Sequence, residues 1–163
     1  MTFHDVLRLV VFDLEGQRYG LPLEAVERVL SMVAVTPLPQ APAIVLGVVN
    51  LRGAVVPVLD IRRRFGAPPR AYGPAAHLIV ARTSRRIVAL PVDEVLGVNA
   101  VAAKAVTAPG EVLPGIGYVG GIVTLTDGLL FIHDLEVFLS LEEERRLTGA
   151  LTGTGAGGGE GAI

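Results

Sequence analysis

The stretch GVVNLRGAVVPVLDI, Gly47–Ile61, lies without a gap over GIVTLTDGLLFIHDL, Gly121–Leu135. Each holds two short apolar runs on either side of a centre marked by Asn, Asp or Gly, the pattern of a β-hairpin. Upstream, LPLEAV (Leu21–Val26) lies over LPVDEV (Leu90–Val95). The first match is offset by 74 residues and the second by 69, in the same order, so the chain reads as a duplication with five extra residues between the matching blocks of the second copy.

Each copy reads as five strands. In the first, Val6–Leu14 and Arg18–Pro22 flank Gly16-Gln17 as a two-residue turn; in the second, His77–Arg82 and Arg86–Val92 flank Thr83-Ser84-Arg85. Beyond Pro22, the spacing of Leu23, Val26 and Val29 or Leu30 predicts a short helix before a third strand near Arg28–Val35. The remaining hairpins turn at Asn50–Gly53 and at Asp127-Gly128. Pro57 donates no ladder hydrogen bond, which points to an edge strand or a bulge there. Strands this short cannot cover both faces of an open sheet, whereas closing five of them into a small barrel removes most exposed edges.

The expected fold class is therefore all-β, with two five-stranded β-barrel subdomains over 1–70 and 71–135. A C-terminal α-helix is expected over 136–148, because Leu135, Phe138, Leu139 and Leu147 alternate with the charged run Glu142–Arg146 and Asp134 stands where a cap belongs. Residues 149–163 include seven glycines and no strand-length apolar run, so they read as a flexible Gly-rich tail.

Composition narrows the function. In 163 residues, 51% are hydrophobic but only 5% aromatic, so the core is aliphatic, and the 20 glycines and 11 prolines argue against a long helical bundle. A net charge of -2 offers no electrostatic footprint for nucleic acid. With no cysteine, disulfides, thiolate metal sites and cysteine nucleophiles are excluded. The N-terminal Met-Thr-Phe-His-Asp lacks the basic start of a signal peptide, and Pro37, Pro39, Pro42, Gln40 and Asn50 break the longest uncharged stretch, so no membrane insertion is expected.

Chemistry-bearing motifs are sparse. Gly115–Gly120 matches G-x-G-x-x-G, but it follows a Pro-broken loop and opens a strand rather than a helix, the wrong setting for a dinucleotide. His4, His77 and His133 are scattered, and His133-Asp134 diverge on either kind of element. Ser31, Ser84 and Ser140 have no evident catalytic partners, and Asp93-Glu94 and Glu142–Glu144 read as solvated charge. Arg62–Arg64, with Arg70 and the Arg82, Arg85 and Arg86 group, reads as a solvated loop or a protein interface. No catalytic residue, cofactor or metal is expected.

The run Gly47–Arg62, followed by Phe65, is similar to the signature of the CheW coupling proteins of bacterial chemotaxis, and the likeness continues through Phe12, Tyr19-Gly20, Leu38-Pro39, Leu90–Val95 and Ile122. It covers roughly residues 6 to 147. The resemblance implies two SH3-like barrels that exchange strands, and a non-catalytic adaptor; with no room for a kinase catalytic domain or a receiver domain, a stand-alone adaptor is expected. Its implied partners are a CheA-like histidine kinase and the cytoplasmic tip of a methyl-accepting chemoreceptor, so the chain would be cytoplasmic and reach membrane arrays only through them. Asn50, Leu51, Arg52 and Gly53 match the family's N-L-R-G turn, whose arginine sits where the receptor tip is expected. Arg52 has a structural alternative, donating to nearby carbonyls to hold the turn. The resemblance also implies a second receptor-facing segment at Val26, Arg28 and Val29, where many members carry an acidic residue before Ile-Arg; the altered charge here would change partner choice. The competing class is a small ligand-binding or enzymatic β-barrel, for which the sequence offers no convergent site.

Overall fold

The computed structural model describes residues 6–64, 67–68, 70–108 and 119–161, with side chains as far as residue 152. The first copy supplies β1 (Val6–Leu14), β2 (Gln17–Pro22), β3 (Val26–Ser31), β4 (Val45–Leu51) and β5 (Ala54–Leu59); the second supplies β6 (His77–Arg82), β7 (Ile87–Val92), β8 (Glu94–Ala102), β9 (Val106–Thr107), β10 (Val119–Leu125) and β11 (Gly128–His133). One sheet has the order β3-β6-β7-β5-β4 and the other β8-β1-β2-β11-β10-β9. Replacing each strand by its repeat counterpart turns the first order into the second, apart from the added β9.

Each sheet therefore takes its first hairpin from the opposite copy, so 1–70 and 71–135 do not each close a barrel of their own. The exchange is fixed by parallel ladders between β11 and β2 and between β5 and β7. After β3 the chain crosses over at Thr36 to bridge Val48 of β4, and after β8 it does the same through β9, where Thr107 pairs with Ile122 of β10. These crossings close the two small barrels. Just before each lies a glycine at the same place in the repeat, Gly47 or Gly121, beside a register shift in its hairpin.

Strand residues alternate between two buried environments. In β1, Leu9 and Val11 join Val123, Leu130 and Ile132 inside one barrel, while Val10, Phe12 and Leu14 face a larger cluster shared with Ile79, Ala81, Val88, Leu90 and Val92 of the other sheet. Val49, Val56, Val58, Leu78 and Ala89 fill the second barrel. With both faces covered, the inner strands carry near-continuous apolar runs, and this accounts for the aliphatic composition.

Several local expectations change. The first turn is Glu15-Gly16, with φ 55° and 77°, so both central residues have the positive φ of a type I′ turn and Leu14 pairs with Gln17. Only three residues after Pro22, Leu23–Ala25, form a 3-10 turn, and Val26 already begins β3. In the last hairpin Gly128, φ 145°, starts β11 rather than completing the turn. Pro57 stands on an interior strand. Both backbone groups of Val48, its partner, bond Thr36, so Pro57 turns its nitrogen toward β7. There the parallel ladder is reduced to the single pair Val58–Ala89, whereas the Pro-free counterpart makes three pairs.

The terminal segment also starts elsewhere. Asp134 accepts from Glu136 N, capping a 3-10 turn at Leu135–Val137. The α-helix α2 (Leu141–Gly161) begins later, at a reciprocal capping box in which Glu143 N donates to Ser140 Oγ at 3.1 Å and Ser140 N donates to Glu143 Oε1 at 2.9 Å. Its backbone runs on past 149, and Leu147 and Ala150 are buried against the shared core. The acidic run here is not a solvated face. Glu143 accepts from Arg64 Nη2 at 2.7 Å, and Glu144 from Arg86 Nη2 at 2.9 Å.

His133 is buried with its ring against Phe138, centroids 4.9 Å apart. Burial first, then the Arg64 charge, pushes its pKa down to about 3 from 6.5. Below pH 6.5 the unfolded chain takes up a proton that the folded chain refuses, so this contribution is complete above pH 6.5 and is lost as pH falls toward 3. Between pH 6.5 and 5 the loss is roughly 2 kcal/mol. Urea midpoints across this range should fall accordingly in the parent and stay flatter in His133→Leu; parallel profiles would contradict the assignment.

Candidate functional site: the tip of the β4–β5 hairpin

The tip is another tight turn. Arg52 (φ 53°) and Gly53 (φ 88°) sit between the paired residues Leu51 and Ala54, again with the positive φ of a type I′ turn. Asn50 Oδ1 accepts from Gly53 N at 2.8 Å and closes it from the side. Arg52, in contrast, makes no hydrogen bond or ion pair among the described residues, so the turn is held by Asn50 and the guanidinium stays exposed. A non-glycine residue in this conformation costs roughly 1–2 kcal/mol.

Gly53→Val should therefore destabilise by about 1–3 kcal/mol, since a β-branched side chain would take up the same positive φ. Arg52→Ala should stay within about 0.5 kcal/mol of the parent, being an exposed substitution. Thermal melts of the two variants compare them directly; equal melts would mean that Gly53 carries no conformational constraint.

Leu51 is half-buried and packs on the barrel interior, on the same cluster as Leu30 of β3. In this way the structure brings the tip and the β3 segment onto one barrel. Val26 packs on the shared core, and a register shift follows it, so that Arg28 lies opposite Val80 and Val29 opposite Ile79. Glu27 is held by Arg82 at 2.5 Å, while Arg28 is exposed with no ionic partner among the described residues. No hydrogen bond or ion pair links Arg52 to Arg28. The two groups of candidate residues share a barrel but not a contact network.

The repeat also marks surface residues that the motif reading passed over. Val55 is 55% and Ile87 38% exposed; Val55 lies just past the tip, and Ile87 begins the strand beside β5. On β8, Val98 is the counterpart of Val29 and is 55% exposed. Both pair with residues of the shared core, Ile79 and Val10, so they stand at corresponding places on the two sheets. The signals that could have found them are the two repeat offsets, 74 for Val55 and 69 for Ile87 and Val98.

Arg62, expected in a solvated loop or a protein interface, is buried. Its Nε donates to Asp60 Oδ1 at 3.3 Å and its Nη2 to Arg70 O at 2.8 Å, and its guanidinium lies 3.9 Å from the Tyr72 ring centroid. Tyr72 donates to the same Asp60 oxygen at 2.9 Å, and burial, reinforced by the Asp60 charge, raises its pKa well above the ordinary value. Arg70 bridges Glu15 at 2.7 Å and Asp93 at 2.6 Å. The cluster ties the first turn, the α1 helix (Ile61–Arg64) and the end of β7 together.

A concavity of about 690 Å³, open to solvent, lies between the β6–β7 turn and α2, bordered by Arg85, Arg86, Glu144 and Arg145. No nucleophile with an adjacent base lines it. Among the described residues no group of three or more His, Asp or Glu gathers as a metal site, and no helix is long and apolar enough to cross a membrane. His4 and Gly115–Tyr118 lie outside the described residues.

Residues 8–143 match the family model described as the CheW-like domain. The chain is 31% identical over 142 residues to the chemotaxis protein CheW of Klebsiella aerogenes, covering 82% of each protein. It is 35% identical over 98 residues to protein FrzA of Myxococcus xanthus, covering 60% of this chain and 61% of that one. Among solved structures, the scaffolding protein TtCheW of Thermoanaerobacter tengcongensis superposes with a TM-score of 0.77 at 28% identity, over 84% of this chain and 94% of that one.

Proposed function

The chain belongs to the CheW-like domain family, and from that premise we propose that it is a non-catalytic adaptor coupling the cytoplasmic tips of chemoreceptors to a CheA-like histidine kinase. It would act in the cytoplasm and join membrane-bound arrays through these partners. The observation that carries the reading is Arg52, an exposed guanidinium with no partner among the described residues, presented on a rigid turn that does not need it. Arginine is enriched among residues that dominate binding energy. The receptor contact is assigned to Asn50, Leu51, Arg52 and Gly53, with Val26, Arg28 and Val29 of the same barrel as its second part.

Arg52→Ala should preserve the fold and kinase binding while weakening a receptor-tip fragment by about 2 kcal/mol, roughly thirtyfold, as read by calorimetry. Unchanged receptor affinity would remove the turn from the interface. If both partners weaken together and the melting temperature falls, Arg52 is structural instead.

A further inference from the structure

The two barrels offer the same surface twice, with different charge. With the offset of 74, Arg52, Gly53 and Val55 correspond to Thr126, Asp127 and Leu129 at the β10–β11 tip; with the offset of 69, Ile87 on the exchanged strand corresponds to Arg18. The ladders agree, since Arg18 pairs with Leu130, the counterpart of Val56, and Val56 stands two residues before the Val58–Ala89 pair. Around the first tip are a cation with no partner among the described residues, Arg52, and two exposed aliphatic side chains, Val55 and Ile87. Around the second, Arg18 Nη1 and Nη2 donate to Asp127 Oδ1 and Oδ2 at 2.9 and 2.8 Å, and Gln17 Nε2 donates to Leu129 O at 2.7 Å. Its one arginine is neutralised, and the turn carries a carboxylate.

We propose that the Arg18–Asp127 pair restricts partner binding to one barrel: the Arg52 tip takes an acidic segment that sets a carboxylate beside an aliphatic side chain, and the equivalent second tip is closed to it by its own carboxylate and its engaged arginine. Opposed charge on the corresponding turn, at the place of Gly53 and next to that of Arg52, works against the wrong surface as attraction selects the right one. This rests on the receptor reading of Arg52 and adds what confines the contact to a single site.

The test transplants the open surface into the Arg52→Ala background, whose loss of receptor-tip binding is the reference. Combining Arg18→Ile, Thr126→Arg and Asp127→Gly with Arg52→Ala should restore affinity for the same fragment by about tenfold or more, and in the Arg52 parent the three changes should raise the calorimetric stoichiometry from one site to two. Asp127→Asn alone, on the Arg52→Ala background, frees Arg18 with little threat to the fold and should recover about threefold. If Arg52→Ala binds like the parent, the receptor reading fails. If Arg52→Ala weakens binding and neither set recovers any, with both folded by circular dichroism, that reading stands and this inference is overturned.

Discussion

Arg62→Ala should cost about 3–5 kcal/mol, because it leaves Asp60 as a buried charge without its cation. Both side chains are 4% exposed. Asp60 would retain the Tyr72 hydroxyl and the backbone N–H of residue 62, which donates to it at 3.0 Å. The remaining ionic contact, Arg63 Nε at 3.6 Å, comes from a side chain 39% exposed and compensates little. The double variant Asp60→Asn with Arg62→Met should be less destabilised than Arg62→Ala, since the charge goes with its partner. Urea midpoints of the three proteins decide this, and a loss below about 1 kcal/mol for Arg62→Ala would mean that water reaches Asp60.

Gly47→Ala should be of similar severity. A Cβ at Gly47 would stand 2.1 Å from Thr36 O and 2.8 Å from Thr36 C. These are backbone atoms, and Thr36 O accepts from Val48 N at 2.8 Å, so the new methyl collides with the bridge that closes the barrel. The expected loss is about 3 kcal/mol or more, at the upper end of overpacking effects. At Gly121 the added carbon would meet Val106 Cγ1 at 2.5 Å, a methyl on a side chain that can yield, so Gly121→Ala should cost about 1–2 kcal/mol. Equal losses in chemical denaturation would argue that the Thr36 crossing contributes nothing special.

The hairpins and their correspondence are readable in the sequence because they depend on neighbours: a β-branched run, a turn residue, another run. The pairing of β2 with β11 is not. Arg18 and Leu130 meet across most of the chain, and apolar runs buried on both faces look the same whichever copy supplies the neighbouring strand. The closing crossings at Thr36 and Thr107 rest on so few residues that no periodicity develops. Pro57 marks a disturbed ladder but not an edge: the hairpin register shifts one pair beyond it, and an interior strand tolerates it where the adjoining ladder is nearly absent. Arg62 reads as surface charge because it stands in a run of three arginines, and only the fold brings Tyr72 and Glu15 to the Asp60–Arg62 pair. At the tip, the turn and its residues are legible from the motif, but Val55, Ile87 and the Arg18–Asp127 contrast become meaningful only once the copies are superposed.

The exchanged hairpins bear on how the molecule is made. On the ribosome, β1 to β5 emerge first, yet β2 must wait for β11, and β5 has no parallel neighbour until β7 appears. Neither barrel can close around a core of its own from the first half of the nascent polypeptide, and the strand that completes one of them is the last to be synthesised. Long-range pairing of this kind slows folding and leaves apolar strands uncovered during translation. An adaptor of this architecture commits to structure late, nearly all at once, and depends during synthesis on whatever shields its unfinished strands.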